Sequence, residues 1–249
     1  MIVIANWKMN KNKTEVNLFM NEFSNKLNQI ETLSLNKKNI LFSPSFPFLS
    51  ELQSSYSDKF SFVAQNCSHH KYGAYTGEVS VDMIKSININ YVMIGHSERR
   101  IYFGESSEIL IKKINLCLDN DITPIVCFGE SIEERKSNNH LDAIKNQLNI
   151  VPLNNQNKLI LAYEPIWSIG TGLVPSVNEI KEVHSFVKSF INAPILYGGS
   201  LNNKNCDEIF NIHEVDGGLV GGASLEPDSF ISIITKANEI FKNSIKDVD

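Results

Sequence analysis

Arginine is nearly missing from this chain: among 249 residues only Arg99, Arg100 and Arg135 carry a guanidinium. Lysine supplies the remaining positive charge, and the formal net charge is −5. A nucleic-acid partner would call for a basic stripe, and this balance argues against one. Long apolar runs are missing as well. None approaches the ~18–20 residues that cross a bilayer, so no membrane partner is expected. Cysteine is scarce, and Cys67, Cys117, Cys127 and Cys206 show neither a CxxC pair nor metal-ligand spacing. Free thiols in a reducing compartment are expected, with no metal site. The opening MIVIANWKMN lacks the length and basic flank of a secretion signal, which points to a cytoplasmic location. No Pro/Gly/Ser-rich linker interrupts the chain, so residues 1–249 are expected to form one domain.

What is present is alternation. Short apolar runs lie near 2–7, 39–43, 60–65, 90–95, 122–127, 158–163, 194–197 and 215–220. Between them apolar residues recur at helical spacing, such as Leu18, Phe19, Glu22, Phe23 and Leu27, or Ile109, Ile111, Lys112, Ile114 and Leu118. Polar clusters at 10–13, 35–39, 136–140 and 152–158 read as solvated connections. Parallel strands need crossover helices, so this order predicts an α/β fold with a parallel sheet. Eight units in about 250 residues fit a closed (β/α)8 barrel. An open dinucleotide-binding sheet would carry GxGxxG after its first strand, and NWKMN stands there instead.

In such a barrel the C-terminal strand ends converge on one mouth. Glu164 ends the run KLILAY, and Pro165 holds it extended. A carboxylate there, near Trp167 and Ile169, is partly desolvated, which suits a general base. His96 ends YVMIG and precedes Ser97-Glu98-Arg99-Arg100, which reads as a helical turn whose N-terminal potential favours a neutral imidazole able to donate to a substrate oxygen. Lys8 would be a fixed cation facing an anion such as Glu98, and Asn6 alternates with it along the strand. Two of three arginines adjoin His96, which suggests planar, multidentate pairing there, with Arg99 reaching an acid such as Glu105. Taken singly, a strand-end Glu more often caps or salt-bridges, and a lone His is more often structural.

Glycine-rich segments follow at 196–200 (LYGGS) and 217–224 (GGLVGGAS), with Gly170 in SIGTG. Each alone could be a plain turn. Together they suit a phosphate bound by backbone amides after the seventh and eighth strands, which agrees with the poverty of arginine.

The segments NWKMN, AQNC, GAYTGEVS, IGHSERR, CFGES, AYEPIWSIGTG, YGGS and DGGLVGGASL resemble the signatures of the triosephosphate isomerase family, from residue 6 to residue 225. The resemblance implies a single-domain TIM barrel that interconverts dihydroxyacetone phosphate and D-glyceraldehyde 3-phosphate, in glycolysis and gluconeogenesis, with no cofactor and no metal. It implies Glu164 as the proton shuttle, His96 as the neutral electrophile, and Lys8 with Asn6 as the substrate-binding cation and its neighbour. Gly170, Ser200, Gly221 and Gly222 would give amides to the phosphate. Ser97, Glu98, Glu130, Trp167 and Tyr197 would support the site and its lid, with the Trp167 indole donating to Glu130. Thr76, in the exposed aromatic loop with Tyr72 and Tyr75, would reach toward Asn6 and Lys8 of a second subunit in an isologous homodimer.

Two departures stand out. Many members carry Lys-Thr-Ala where this chain has Leu173-Val174-Pro175, and there the Ala amide bonds the tyrosine matching Tyr197. Proline has no N–H, so closure is expected to depend on Ser200 reaching the Gly170 or Gly172 region, with Pro175 stiffening the outer hinge. The span from EVHSFVKSF to YGGS is also about a dozen residues shorter than in many members, which trims the barrel's outside. Two alternatives stay open: another sugar-phosphate barrel enzyme, such as an aldolase or a metal-dependent epimerase, and a catalytically silent phosphate binder.

Overall fold

The computed structural model of the protein describes residues 1–30, 33–171 and 173–246. Strands β1 (Ile2–Asn6), β2 (Ile40–Ser43), β3 (Ser61–Ala64), β4 (Tyr91–Ile94), β5 (Thr123–Phe128), β6 (Ile160–Tyr163), β7 (Ile195–Tyr197) and β8 (Gly217–Val220) pair in chain order and close into a barrel. Every pairing is parallel, and β1 closes on β8 with Ile2 opposite Gly217 and Ala5 opposite Val220. The (β/α)8 architecture expected from the alternating runs is the one observed, with strand ends within two residues of the apolar runs. Among the described residues no helix is long and apolar enough to cross a membrane.

Helices α1 (Lys13–Asn28), α2 (Phe46–Tyr56) and α3 (Val81–Ser86) make the first three crossovers. Helices α4 (Ser97–Phe103) and α5 (Ser107–Asp119) make the fourth, and α6 (Ile132–Lys136) with α7 (His140–Leu148) the fifth. Helices α8 (Val177–Lys188) and α9 (Cys206–Phe210) complete the crossovers, and α10 (Pro227–Lys246) follows β8. The chain passes from α8 to β7 through residues 189–194 alone, the short span expected. Two of the polar clusters are wound into 3-10 turns, at Lys37–Asn39 and Leu153–Lys158.

Strand periodicity sorts the apolar side chains into two cores. Ile4, Val63, Met93, Ile125, Ala162 and Leu196 are among those that fill the barrel interior. Their neighbours one residue away, such as Val3, Ala5, Leu161 and Tyr197, pack outward against the helices. An aromatic cluster of Trp7, Phe19, Phe23, Phe42, Phe60 and Phe230 joins β1 and β2 to α1 and α10.

The apolar spacings expected in two helices are met in part by their buried faces. In α1 Phe19, Phe23 and Leu27 are buried with Val16 and Met20, while Leu18 faces out. In α5 the buried set is Leu110, Lys113, Ile114, Leu116 and Cys117, and Ile111 is exposed. The stripe of α5 contains a lysine because the Lys113 ammonium meets Glu105 Oε1 at 2.6 Å and Asn66 Oδ1 at 2.7 Å. A reading by apolarity alone skips a paired charge.

Candidate active site

The two-residue period of the strands carries the barrel's interior line into its mouth. Ile4 points inward, and so does Asn6; Ala162 points inward, and Glu164 follows it at the mouth. The same step leads from Leu196 to Gly198 and from Leu219 to Gly221. These positions line one cavity of about 460 Å³ together with Lys8, His96, Gly170, Ser200 and Gly222. All eight residues expected to do chemistry or hold phosphate therefore meet on a single surface. Ser97, Glu98, Glu130, Trp167 and Tyr197 stand behind it, and Thr76 lies away from it on an exposed turn.

Glu164 is 2% exposed, with Oε1 3.1 Å from His96 Nε2. Its Oε2 accepts from the Ser97 amide at 3.2 Å, and its own amide donates to Phe128 O at 2.7 Å. Two glycines from neighbouring strands make room for it. A Cβ on Gly129 would stand 1.8 Å from Glu164 O, and one on Gly198 would stand 3.0 Å from Glu164 Cγ. Sequence reasoning missed Gly129, and read Gly198 only as part of a phosphate-binding segment, because the room they leave for Glu164 is an empty volume facing a distant strand.

Gly95, at φ +70°, turns the chain out of β4 so that His96 caps α4. His96 Nδ1 accepts from the Glu98 amide at 3.2 Å. A nitrogen that accepts carries no proton, which leaves Nε2 to carry it at the cavity.

Lys8 holds a left-handed backbone at φ 51°. Bonds from Ser45 Oγ (3.0 Å) and Gln65 Nε2 (2.8 Å) to its carbonyl, and from its amide to Asn6 Oδ1 (3.0 Å), fix that conformation. Its Nζ meets Glu98 Oε1 at 2.6 Å, and the Asn6 amide group faces Met93 Sδ. The arginines divide differently. Arg99 pairs with Glu105, as its acid partner, and lies 4.6 Å from the Phe103 ring. Arg100 grips carbonyls instead of an anion, donating to Gly95 O and Cys127 O at 2.8 Å each. Burial lowers its pKa, and the fork braces the ends of β4 and β5 beneath the cavity.

The segment after Glu164 is tied at both ends. Trp167 Nε1 donates to Glu130 Oε1 at 3.0 Å, an oxygen shared with Arg135 and the Tyr163 hydroxyl. At the far end Ser176 and Glu179 form a reciprocal cap that starts α8. Ser200 does not pair with Gly170: its amide donates to Ser168 Oγ at 3.1 Å and its hydroxyl to Ser168 O at 2.5 Å. Gly172, the other expected partner, lies outside the described residues. Burial pushes the Tyr197 phenol up; among the described residues its hydroxyl finds no hydrogen-bond partner of ordinary geometry, yet the Ser168 side chain is near enough to oppose that rise. Ser168 escaped sequence reasoning, since one serine inside the apolar PIWSI has no pattern to announce it.

Among the described residues no group of three or more His, Cys, Asp or Glu side chains is placed to hold a metal ion. The four cysteines are free and buried, with Cys67 Sγ 3.9 Å from Cys117 Sγ.

A family model described as triosephosphate isomerase matches residues 1–237. A protein of Francisella tularensis subsp. holarctica named triosephosphate isomerase is 39% identical, over 96% of this chain and 98% of its own. Proteins of the same name from Flavobacterium johnsoniae and Francisella philomiragia are 37% and 35% identical, over 94% and 96% of this chain and 98% of each relative.

Proposed function

The chain belongs to the triosephosphate isomerase family, an enzyme that interconverts dihydroxyacetone phosphate and D-glyceraldehyde 3-phosphate, and we propose that Glu164, His96 and Lys8 carry the reaction. Glu164 takes a proton from the carbon beside the substrate carbonyl and returns it to the neighbouring carbon. His96 Nε2 donates to the carbonyl oxygen as negative charge gathers there. Lys8, with Asn6 beside it, stabilises the enediolate between the two transfers. The observation that carries this assignment is the 3.1 Å approach of Glu164 to His96 on the cavity that Lys8 also lines.

The catalytic groups are side chains of the chain itself, and no cofactor enters the proposed steps. Proton transfer by a placed base contributes about 10²–10⁴-fold. Charge stabilisation by Lys8 and His96, and positioning through the phosphate, supply much of the rest. Gly221 and Gly222 open backbone onto the cavity at the mouth, and with Gly170 and Ser200 they hold the phosphate.

Residues 165–175 act as the lid. An enediolate left in water can expel its phosphate: the electron pair forms a new C=C bond as the C–O bond to phosphate breaks. A closed lid keeps the intermediate in the geometry for proton return and keeps water out.

The full chain works as one barrel domain, in the cytoplasm, where reducing conditions suit its four free thiols. It works as a homodimer. Tyr72, Tyr102 and Phe103 are 86%, 74% and 66% exposed, an apolar display that a second copy would cover. Thr76, on the same loop as Tyr72, would then approach the partner's mouth.

The test is a coupled assay of glyceraldehyde 3-phosphate isomerisation by the parent and by Glu164→Gln. The parent should turn over, and the variant should lose about 10²–10⁴-fold in kcat. A variant within twofold of an active parent would remove Glu164 from the base role.

A further inference from the structure

Ser168 is fully buried at the root of the lid, between Trp167 and Ile169. Its hydroxyl donates to Leu173 O at 2.6 Å, in the outer half of the same segment. It accepts from the Ser200 amide at 3.1 Å, and its carbonyl accepts from Ser200 Oγ at 2.5 Å. A serine hydroxyl has one proton and two lone pairs. One small side chain therefore ties the two halves of the lid to each other and to the loop after β7. The outer end has no competing tie at position 175, since Pro175 lacks an N–H.

The Ser200 amide is also one of the donors assigned to the substrate phosphate, because Ser200 lines the cavity beside Gly221 and Gly222. One N–H cannot serve two acceptors at full strength. A phosphate dianion is a stronger acceptor than a neutral hydroxyl. Its arrival draws the amide away from Ser168.

We propose that Ser168 is a positioning residue that holds the lid through Leu173 and shares the Ser200 amide with the substrate's phosphate. This rests on the isomerase reading of the site. Ser168 touches no reacting atom, and its effect runs through Ser200 and Leu173.

The test compares the parent enzyme with Ser168→Ala, after equal melting temperatures have established that both are folded. Three quantities are read: kcat for glyceraldehyde 3-phosphate, the fraction of turnovers that release inorganic phosphate, and Ki for inorganic phosphate. Loss of the tie to Leu173 should lower kcat by about tenfold and raise the phosphate-release fraction severalfold. Loss of the competing acceptor should tighten Ki by about fivefold, whereas general damage to the site would weaken it. An unchanged Ki and release fraction, or a weakened Ki, overturns the proposal. A measurement on the parent alone guards against an unfolded variant. The Ser200 amide should be protected from hydrogen exchange in the free enzyme and should shift in the NMR spectrum on adding inorganic phosphate; an unprotected amide overturns the latch. A parent that fails to isomerise would instead overturn the reading of the site.

Discussion

Glu164 Oε1 lies 3.1 Å from His96 Nε2, so the two groups proposed to handle protons face each other across the mouth. In the proposed reaction the imidazole N–H donates to the substrate carbonyl oxygen while the carboxylate beside it faces the substrate carbon. His96→Gln keeps a donor of similar reach without the ring and without its Nδ1 anchor on the Glu98 amide. Losing a placed donor to developing negative charge costs about 10²–10³-fold in kcat. KM should change by less than about threefold, because the bond strengthens chiefly in the transition state. A raised KM at constant kcat, measured under saturating and limiting substrate, would make His96 a binding residue.

Tyr197 and Ser200 flank the same two glycines and should differ in consequence. The Ser200 hydroxyl bonds the lid at Ser168 O, while the Tyr197 hydroxyl has, among the described residues, no bond of ordinary geometry to lose. Ser200→Ala is expected to slow turnover by about tenfold and Tyr197→Phe by no more than about twofold. Steady-state assays of the two variants side by side decide it. Equal losses would mean that Tyr197 latches the lid in a position other than the one seen here.

The barrel was legible because eight apolar runs with helices between them admit few parallel arrangements, and the interior parity from Ile4 to Asn6 and from Ala162 to Glu164 follows from strand geometry alone. The rest was hidden for physical reasons. Lys113 disguised the buried stripe of α5, because its charge is cancelled by Glu105 from the loop before the helix. Arg100 invited an anion and instead holds two carbonyls, which carry no signature in a sequence. Gly129 and Gly198 matter through the side chain they lack, and Ser168 through partners five and 32 residues away.

Dimerisation is open to a direct test. The exposed side chains of Tyr72, Tyr75, Tyr102 and Phe103 should be covered by a second copy, with Thr76 completing the partner's mouth. Sedimentation should give a dimer at micromolar concentration, and Tyr75→Asp, placing a charge in that contact, should shift the species to monomer with loss of activity. A monomer with full activity at nanomolar concentration would refute the requirement for a partner.

Glu130 gathers four donated bonds on one buried oxygen: Arg135 Nε at 3.0 Å and Nη2 at 2.9 Å, the Tyr163 hydroxyl at 3.1 Å and Trp167 Nε1 at 3.0 Å. Glu130→Gln removes the buried one of the two carboxylates that answer the Arg135 guanidinium, the other being the half-exposed Glu182 at 3.0 Å. Breaking a buried pair on one side costs about 3–5 kcal/mol. Urea unfolding should register that loss. Fluorescence of Trp167 should shift to longer wavelength as the indole gains water, and an unchanged spectrum would mean that the lid's inner end is held without Glu130.

His184, buried beneath β6, links stability to pH. Burial lowers its pKa from 6.5 to about 4, against the opposing bond between its Nδ1 and Glu214 O at 3.1 Å. Its ring packs edge-on to Tyr163, and Asp216, Lys188 and Glu214 are the charges acting on it. The folded protein keeps this imidazole neutral at a pH where the unfolded chain protonates it. Above pH 6.5 both states are neutral, and the contribution is complete. As pH falls from 6.5 toward 4 the unfolded state binds the extra proton, and stability drops by up to about 3 kcal/mol. Below 4 both states are protonated, and this site adds no further slope. Urea midpoints at pH 7, 5.5 and 4.5 should trace the loss. His184→Gln should be less stable at pH 7, because the buried ring is gone, yet flatter across the same window. Parallel curves for parent and variant would assign the acid sensitivity to other groups.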